Sequence, residues 1–120
     1  MSPSPRPGSK VRGSRTGKPV MALLDLLGRR WALRVLWELR GEPLTSRALR
    51  AACGGVSPTV LSDRTKELRE ARLVEIEEPA GYALTPLGRE LLERFLPLVD
   101  WSTSWAAAVR RSSPAATLLR

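Results

Sequence analysis

Apolar residues recur at helical spacing from Pro19 onward. Val20, Leu23, Leu24 and Leu27 fall at i, i+3, i+4 and i+7, a stripe that Gly28 closes. Trp31 to Leu39 predicts a second helix, apolar on more than one side through Trp31, Leu33, Val35, Leu36, Trp37 and Leu39, and therefore central to a core. Gly41 and Pro43 stop it. Two shorter helices follow, each announced by an apolar residue ahead of an N-cap. Leu44 precedes Thr45 and is placed to pack on Leu49; Val56 precedes Ser57 and is placed to pack on Leu61, with Pro58 at the favoured first helical position. Between them lies the break Gly54-Gly55-Val56, and the second helix is expected to end near Ala71.

The pattern then changes period. Leu73-Val74-Glu75-Ile76-Glu77 and Tyr82-Ala83-Leu84, around Glu78-Pro79-Ala80-Gly81, read as a β-hairpin. Thr85 caps another helix with Pro86 at its first position and Leu87, Leu91, Leu92 and Phe95 along it, up to Pro97, which is expected to kink or break it. A final helix is expected from about Leu98 to Arg111, with Leu98, Trp101, Trp105 and Val109 near one face. The fold class is thus mostly α with one small hairpin. A short helix, a Gly-containing turn, a longer helix and a hairpin directly after it are the parts of a winged helix-turn-helix.

Outside these elements the composition is different. Residues 1–17 carry Pro3, Pro5, Pro7, Gly8, Gly13 and Gly17 with only Met1 and Val11 as apolar anchors, and are expected to be a disordered basic tail. Residues 18–111 form the expected domain with its dimerisation helices, and residues 112–120 a flexible C-terminal tail. The chain of 120 residues carries 20 Lys and Arg against 12 Asp and Glu, a net +8 that favours polyanionic partners. Five of those cations, Arg6, Lys10, Arg12, Arg15 and Lys18, lie in residues 1–18 without an acid, which leaves 15 basic against 12 acidic residues, or +3, for the rest. Much of the excess belongs to the tail.

Composition also excludes. The single cysteine, Cys53, allows no internal disulfide, and with no histidine the usual zinc ligand sets cannot assemble. No apolar run approaches the roughly 18 residues of a membrane span and no secretory signal opens the chain, so no membrane partner and a reducing, cytoplasmic home are expected. A histidine base, a G-x-S-x-G elbow, a phosphate-cradling glycine loop and an isolated carboxylate pair are all missing from the sequence, so neither an enzyme nor a cofactor is expected. Cys53, at the end of a helix, is expected to be inert, its pKa raised by the helix C-terminus.

Three strings in order make the chain resemble the HxlR family of bacterial winged helix-turn-helix regulators, over roughly residues 18–108. Leu27-Gly28-Arg29-Arg30-Trp31 is similar to that family's Leu-Gly-Gly-Lys-Trp, and Leu84-Thr85-Pro86-Leu87-Gly88 matches the segment leaving its wing. Between them, Val60-Leu61-Ser62-Asp63-Arg64 through Glu67-Leu68, and then Leu73-Val74, resembles the recognition helix and first wing strand. The resemblance implies a cytoplasmic homodimer, usually a repressor, on a palindromic operator of double-stranded DNA. It places a dimer seam on the first and last helices, here Val20, Leu23, Leu24, Leu27, Leu98, Trp101 and Trp105. Some members sense aldehydes, quinones or oxidants through a cysteine just before the first helix. The family's Cys-Pro-Val stands here as Lys18-Pro19-Val20, so sensing by a thiol at that position is not available.

A recognition helix seated by Leu61, Thr65 and Leu68 turns Thr59, Ser62, Asp63, Lys66 and Glu70 outward. Thr59, Ser62 and Asp63, near its N-terminus, are the expected base readers; Lys66, with Arg64 and Arg69 on the flanks, is suited to phosphates. Ser57 at the start of that helix, and Thr45, Ser46 and Arg47 at the start of the preceding one, add phosphate contacts where free backbone N–H groups favour anions. Asp63 accepts hydrogen bonds only, so it is either a reader of a cytosine amino group or a solvated or Lys66-paired residue. Thr65 stands where the core stripe would prefer leucine, which implies looser seating. Glu75, Glu77 and Glu78 make the wing acidic, poor for a minor-groove contact, and leave the basic tail to compensate or merely to solubilise.

Trp31, Trp37, Trp101 and Trp105 all sit at helical apolar spacing and are expected in the core or the seam. The alternative is a flat apolar pocket near the seam that takes a small aromatic effector. Two further readings of the whole chain stay open: a winged-helix module that docks on another protein, and a nucleoid-type DNA binder without sequence preference.

Overall fold

A computed structural model describes residues 18–112. In chain order they form α1 (Pro19–Leu27), α2 (Ala32–Glu38), α3 (Ser46–Cys53), α4 (Pro58–Glu70), β1 (Val74–Glu77), β2 (Gly81–Leu84) and α5 (Pro86–Ser112). The expected basic tail and all but the first residue of the expected C-terminal tail lie outside the described residues; Ser112 ends α5. Residues up to Arg89 form one compact unit and those from Glu90 a second.

The core of the first unit is built where the patterning is densest. Val35, Leu36 and Leu39 of α2 and its cap are fully buried with Leu49, Leu68, Val74 and Cys53. Each such aliphatic side chain contributes about 1.5–3 kcal/mol through burial. The stripe along α1 does not join them: Ala22 and Leu26 are its buried residues, while Val20 and Leu24 are exposed.

Trp31 is not the first residue of α2 but its N-cap, in the left-handed region at φ 75°, with the Arg30 guanidinium 5.8 Å from its ring centroid. That backbone region costs a bulky residue roughly 1–3 kcal/mol, and it folds the short link from α1 back into α2. Two of the tryptophans stand apart from the core: Trp31 is half-buried, and Trp37 is 40% exposed beneath the Arg40 guanidinium at 3.9 Å, while Trp101 and Trp105, expected at the seam, are exposed on α5. On a helix of seven residues the core face is already filled by Val35 and Leu36, and a stacked arginine covers an outward indole with its own charge left in water.

The hairpin is antiparallel, with Val74 opposite Leu84 and Glu77 opposite Gly81. Leu44, between α2 and α3, adds a one-residue bridge to it: the Leu44 N–H donates to the Tyr82 carbonyl at 2.9 Å and the Tyr82 N–H to the Leu44 carbonyl at 2.7 Å. Gly81 makes this approach possible. It sits at φ +119°, and a Cβ there would lie 2.3 Å from the Leu44 carbonyl oxygen. The far end of the hairpin is tied to α5: the Thr85 hydroxyl donates to the Arg72 carbonyl at 2.7 Å and accepts from the Gly88 N–H at 2.9 Å. Gly88 is pressed on the Leu73 carbonyl oxygen, which a Cβ would meet at 2.0 Å.

An ion chain joins α1 to α4. Arg29, in the link after α1, lies 3.4 Å from Asp25 and binds Oε2 of Glu67, while Arg64 binds Oε1 of the same carboxylate at 2.5 Å. Glu67 is 8% exposed.

In the second unit α5 continues through Pro97 to Ser112, where two helices had been expected. An interior proline costs a helix about 3 kcal/mol through its missing N–H and its clash one turn back. Good helix formers on both sides, Glu90 to Arg94 with their 2.8 Å ion pair and Ala106 to Ala108, offset it.

The Leu44 bridge sets how far the wing stands from α3. Gly81→Ala is expected to lower the unfolding free energy by about 2 kcal/mol or more, through φ strain and the lost bridge. Urea unfolding measures it, and a midpoint at the parental value would show that the hairpin and α3 separate without cost.

Candidate nucleic-acid interface

Two N-caps fix the helices of the motif. The Thr45 hydroxyl accepts from the Ala48 N–H and the Ser57 hydroxyl from the Val60 N–H, each at 3.1 Å. Val56 and Leu61, on either side of the second cap, are buried. The turn between the helices uses Gly54 at φ 61° and Gly55 at φ 111°, values that suit residues without a Cβ. Arg50 braces it by donating from Nε to the Val56 carbonyl at 3.3 Å. Together these residues frame an open concavity of about 780 Å³, lined by Ser46, Arg47, Arg50 and Ser57 around the two glycines.

Leu61, Thr65 and Leu68 are buried as the seat of α4. The Thr65 hydroxyl donates within its own helix, to the carbonyls of Leu61 and Ser62 at 3.0 Å each, so its burial leaves no donor unsatisfied. Thr59, Ser62, Lys66, Arg69 and Glu70 are exposed and Asp63 is half-buried. Asp63 has no ion-pair partner among the described residues; the Lys66 pairing weighed for it is not formed there. Thr45, Ser46, Arg47 and Ser57 are exposed at the starts of α3 and α4.

Arg64 is placed differently from its expected flank. It turns inward to Glu67, its side chain is only 16% exposed, and its Nε is buried with no hydrogen-bond partner. The reason is position: one helical turn before Glu67, it shares the side of α4 that meets Arg29. Arg29 and Glu67 stand inside the strings that carry the family resemblance without a role of their own there, and Arg50 stands in none of them. Glu67 carries a readable signal, an acid directly beside the apolar seat residue Leu68 and off the outward face; Arg50 carries none.

Glu75, Glu77 and Glu78 are exposed, so the wing presents carboxylates. Burial pushes the Cys53 thiol up from its ordinary value, Glu38 adds to the rise and Arg34 opposes it. At neutral pH the group is therefore a thiol and a poor nucleophile. Among the described residues, no helix is long and apolar enough to cross a membrane, and no group of three or more His, Cys, Asp or Glu is placed to hold a metal.

The arrangement has known counterparts. The model of the HxlR-like helix-turn-helix family matches residues 26–110. The uncharacterized HTH-type transcriptional regulator YvaP of Bacillus subtilis (strain 168) is 30% identical over 88 residues, covering 68% of this chain and 82% of YvaP. Among solved structures, quinone-bound YodB from B. subtilis is similar with a TM-score of 0.67 at 26% identity, over 71% of this chain and 96% of YodB. A protein described as a transcriptional regulator of the MarR family, from Enterococcus faecalis V583, has a TM-score of 0.67 at 26% identity, over 86% of this chain and 99% of its own. One described as an HxlR family transcriptional factor, from Thermoplasma volcanium GSS1, has a TM-score of 0.63 at 26% identity, over 75% and 86%. With its capped α3–turn–α4 unit and hairpin in that family's order, the chain belongs to the HxlR-like helix-turn-helix family of DNA-binding transcriptional regulators.

Proposed function

We propose that the protein is a repressor that binds a palindromic operator as a homodimer, reading bases with Thr59, Ser62 and Asp63 and holding phosphates with Lys66, Arg69, Arg47, Ser46, Thr45 and Ser57. The observation that carries the reading is the outward face of α4, polar and, save for half-buried Asp63, exposed, while the opposite side is buried on Leu61 and Leu68. The repressor role follows the family resemblance. The homodimer is supported by apolar side chains left in water: Val20 and Leu24 on α1, and Leu98, Val99, Trp101, Trp105 and Val109 on α5, the last five between 48 and 58% exposed. A small aromatic effector has one supporting observation on this chain, the exposed Trp101 and Trp105 rings stacked at 6.3 Å, beside the likeness to a quinone-bound structure. Lys18 at the N-cap of α1 offers no thiol for such a ligand.

Footprinting on the DNA upstream of the protein's own coding region tests the central reading. Binding is expected to weaken steeply with salt, and Lys66→Ala to flatten the slope of log affinity against log salt by about 1, one phosphate fewer. Asp63→Ala is expected to relax the preference at one base pair by about 1–3 kcal/mol. Equal affinity for unrelated DNA would leave only a nucleoid-type binder.

Sedimentation equilibrium tests the seam. The parent is expected as a dimer and Trp105→Glu as a folded monomer, by placing a carboxylate on the apolar face; a parent that stays monomeric at micromolar concentration removes the dimer. Titration with quinones and aromatic acids is expected to change the tryptophan emission, and silence across the panel removes the effector.

A further inference from the structure

We propose that Arg29 and Glu67 are positioning residues for DNA readout: the ion chain Asp25–Arg29–Glu67–Arg64 sets the rotation of α4 relative to α1, and so the angle at which a recognition helix is offered to its half-site. The proposal rests on the DNA-binding reading above.

The seat of α4 does not define a unique orientation. Leu61 and Leu68 are apolar, and apolar burial is non-directional. Thr65, between them, is a smaller residue whose hydroxyl is spent on Leu61 and Ser62 of the same helix. That hydroxyl makes no hydrogen bond to another element. Two leucines and a threonine give α4 burial but no directional bond that would hold it against a small rotation.

The ion chain supplies the missing directionality. Each oxygen of Glu67 has its own guanidinium, Oε2 with Arg29 and Oε1 with Arg64. Charge-assisted pairs of this kind are geometrically demanding. Arg64 belongs to α4 itself and splints the Glu67 side chain against its own helix. Arg29 belongs to the link after α1 and also meets Asp25 on α1 at 3.4 Å. The orientation of α4 is thereby referred to α1, a helix of the proposed seam. In a two-fold dimer, any rotation of α4 against α1 is repeated by the partner, so it changes the separation and angle of both recognition helices.

Energetics favours an orienting role over a stabilising one. The four side chains are 10 to 18% exposed, and Arg64 leaves its buried Nε without a partner. Burying charges in this way recovers little net stability, and well-packed apolar replacements are often neutral or better. The cluster stands behind the proposed recognition helix, where geometry matters most.

The test separates fold from readout. A duplex site is selected from a random library by the parent, and variants with one or two base pairs inserted at its centre, together with a scrambled duplex, complete the set. The triple variant Arg29→Met, Arg64→Met, Glu67→Leu is expected to unfold at or above the parental temperature. Its preference for the selected site over the scrambled one is expected to fall roughly tenfold, and its discrimination among centre spacings to flatten. Glu67→Gln, which keeps the shape and loses the charge, is expected to lie between the two, and it carries the test should the triple variant not fold. Parental selectivity and spacing preference in a folded triple variant, or in Glu67→Gln if that alone folds, would overturn the positioning role while leaving the regulator reading intact. A parent that selects no site at all would overturn both.

Discussion

A single carboxylate, that of Glu67, stands where two parts of the first unit meet: the link after α1, through Arg29, and the inner flank of α4, through Arg64. Its burial constrains its neighbours. Removing either arginine leaves charge with less compensation in a poorly hydrated place, and removing Glu67 strands two guanidiniums; loss of one partner of such a pair costs about 3–5 kcal/mol. The outward face of α4 is usable because this inner side is closed. The side chains of Thr59, Ser62 and Lys66 are exposed while that of Arg64, two residues from both Ser62 and Lys66, is turned inward.

Much of this was legible in the sequence because the signals are local. Thr45, Ser57 and Thr85 cap the helices they precede, each with its hydroxyl accepting from an N–H three residues on. A hydroxyl at that offset from an apolar run is read from neighbours in the chain alone. The seat of α4 followed from period, and the hairpin from alternation and a turn. The outward face of α4 followed from the same arithmetic, since what is not seated must face away.

What was not legible depends on contacts remote in sequence. The Leu44–Tyr82 bridge involves a single residue of one segment, too short to leave any period. The Arg29–Glu67 pair spans 38 positions, and in a chain with 20 cations no rule of spacing selects Arg29 from the others. Pro97 misled because the penalty of one proline is local while helix propensity is summed over the whole segment. Trp37 was not legible because apolar spacing predicts a face and not what lies opposite it: its ring meets the Arg40 guanidinium.

The contact between Gly88 and the Leu73 carbonyl turns part of a signature into a measurable gap. In Leu84-Thr85-Pro86-Leu87-Gly88, the threonine is a cap and the proline a helix start, roles that other residues fill at modest cost. Gly88 is of another kind, because with a Cβ 2.0 Å from a carbonyl oxygen no side chain of any chemistry fits unless helix and wing part. Under random mutation that position would accept nothing, whereas exposed neighbours such as Leu87 and Arg89 would drift. The last letter of the string is therefore its most informative one, and it records a distance between two backbones, not a chemistry of binding.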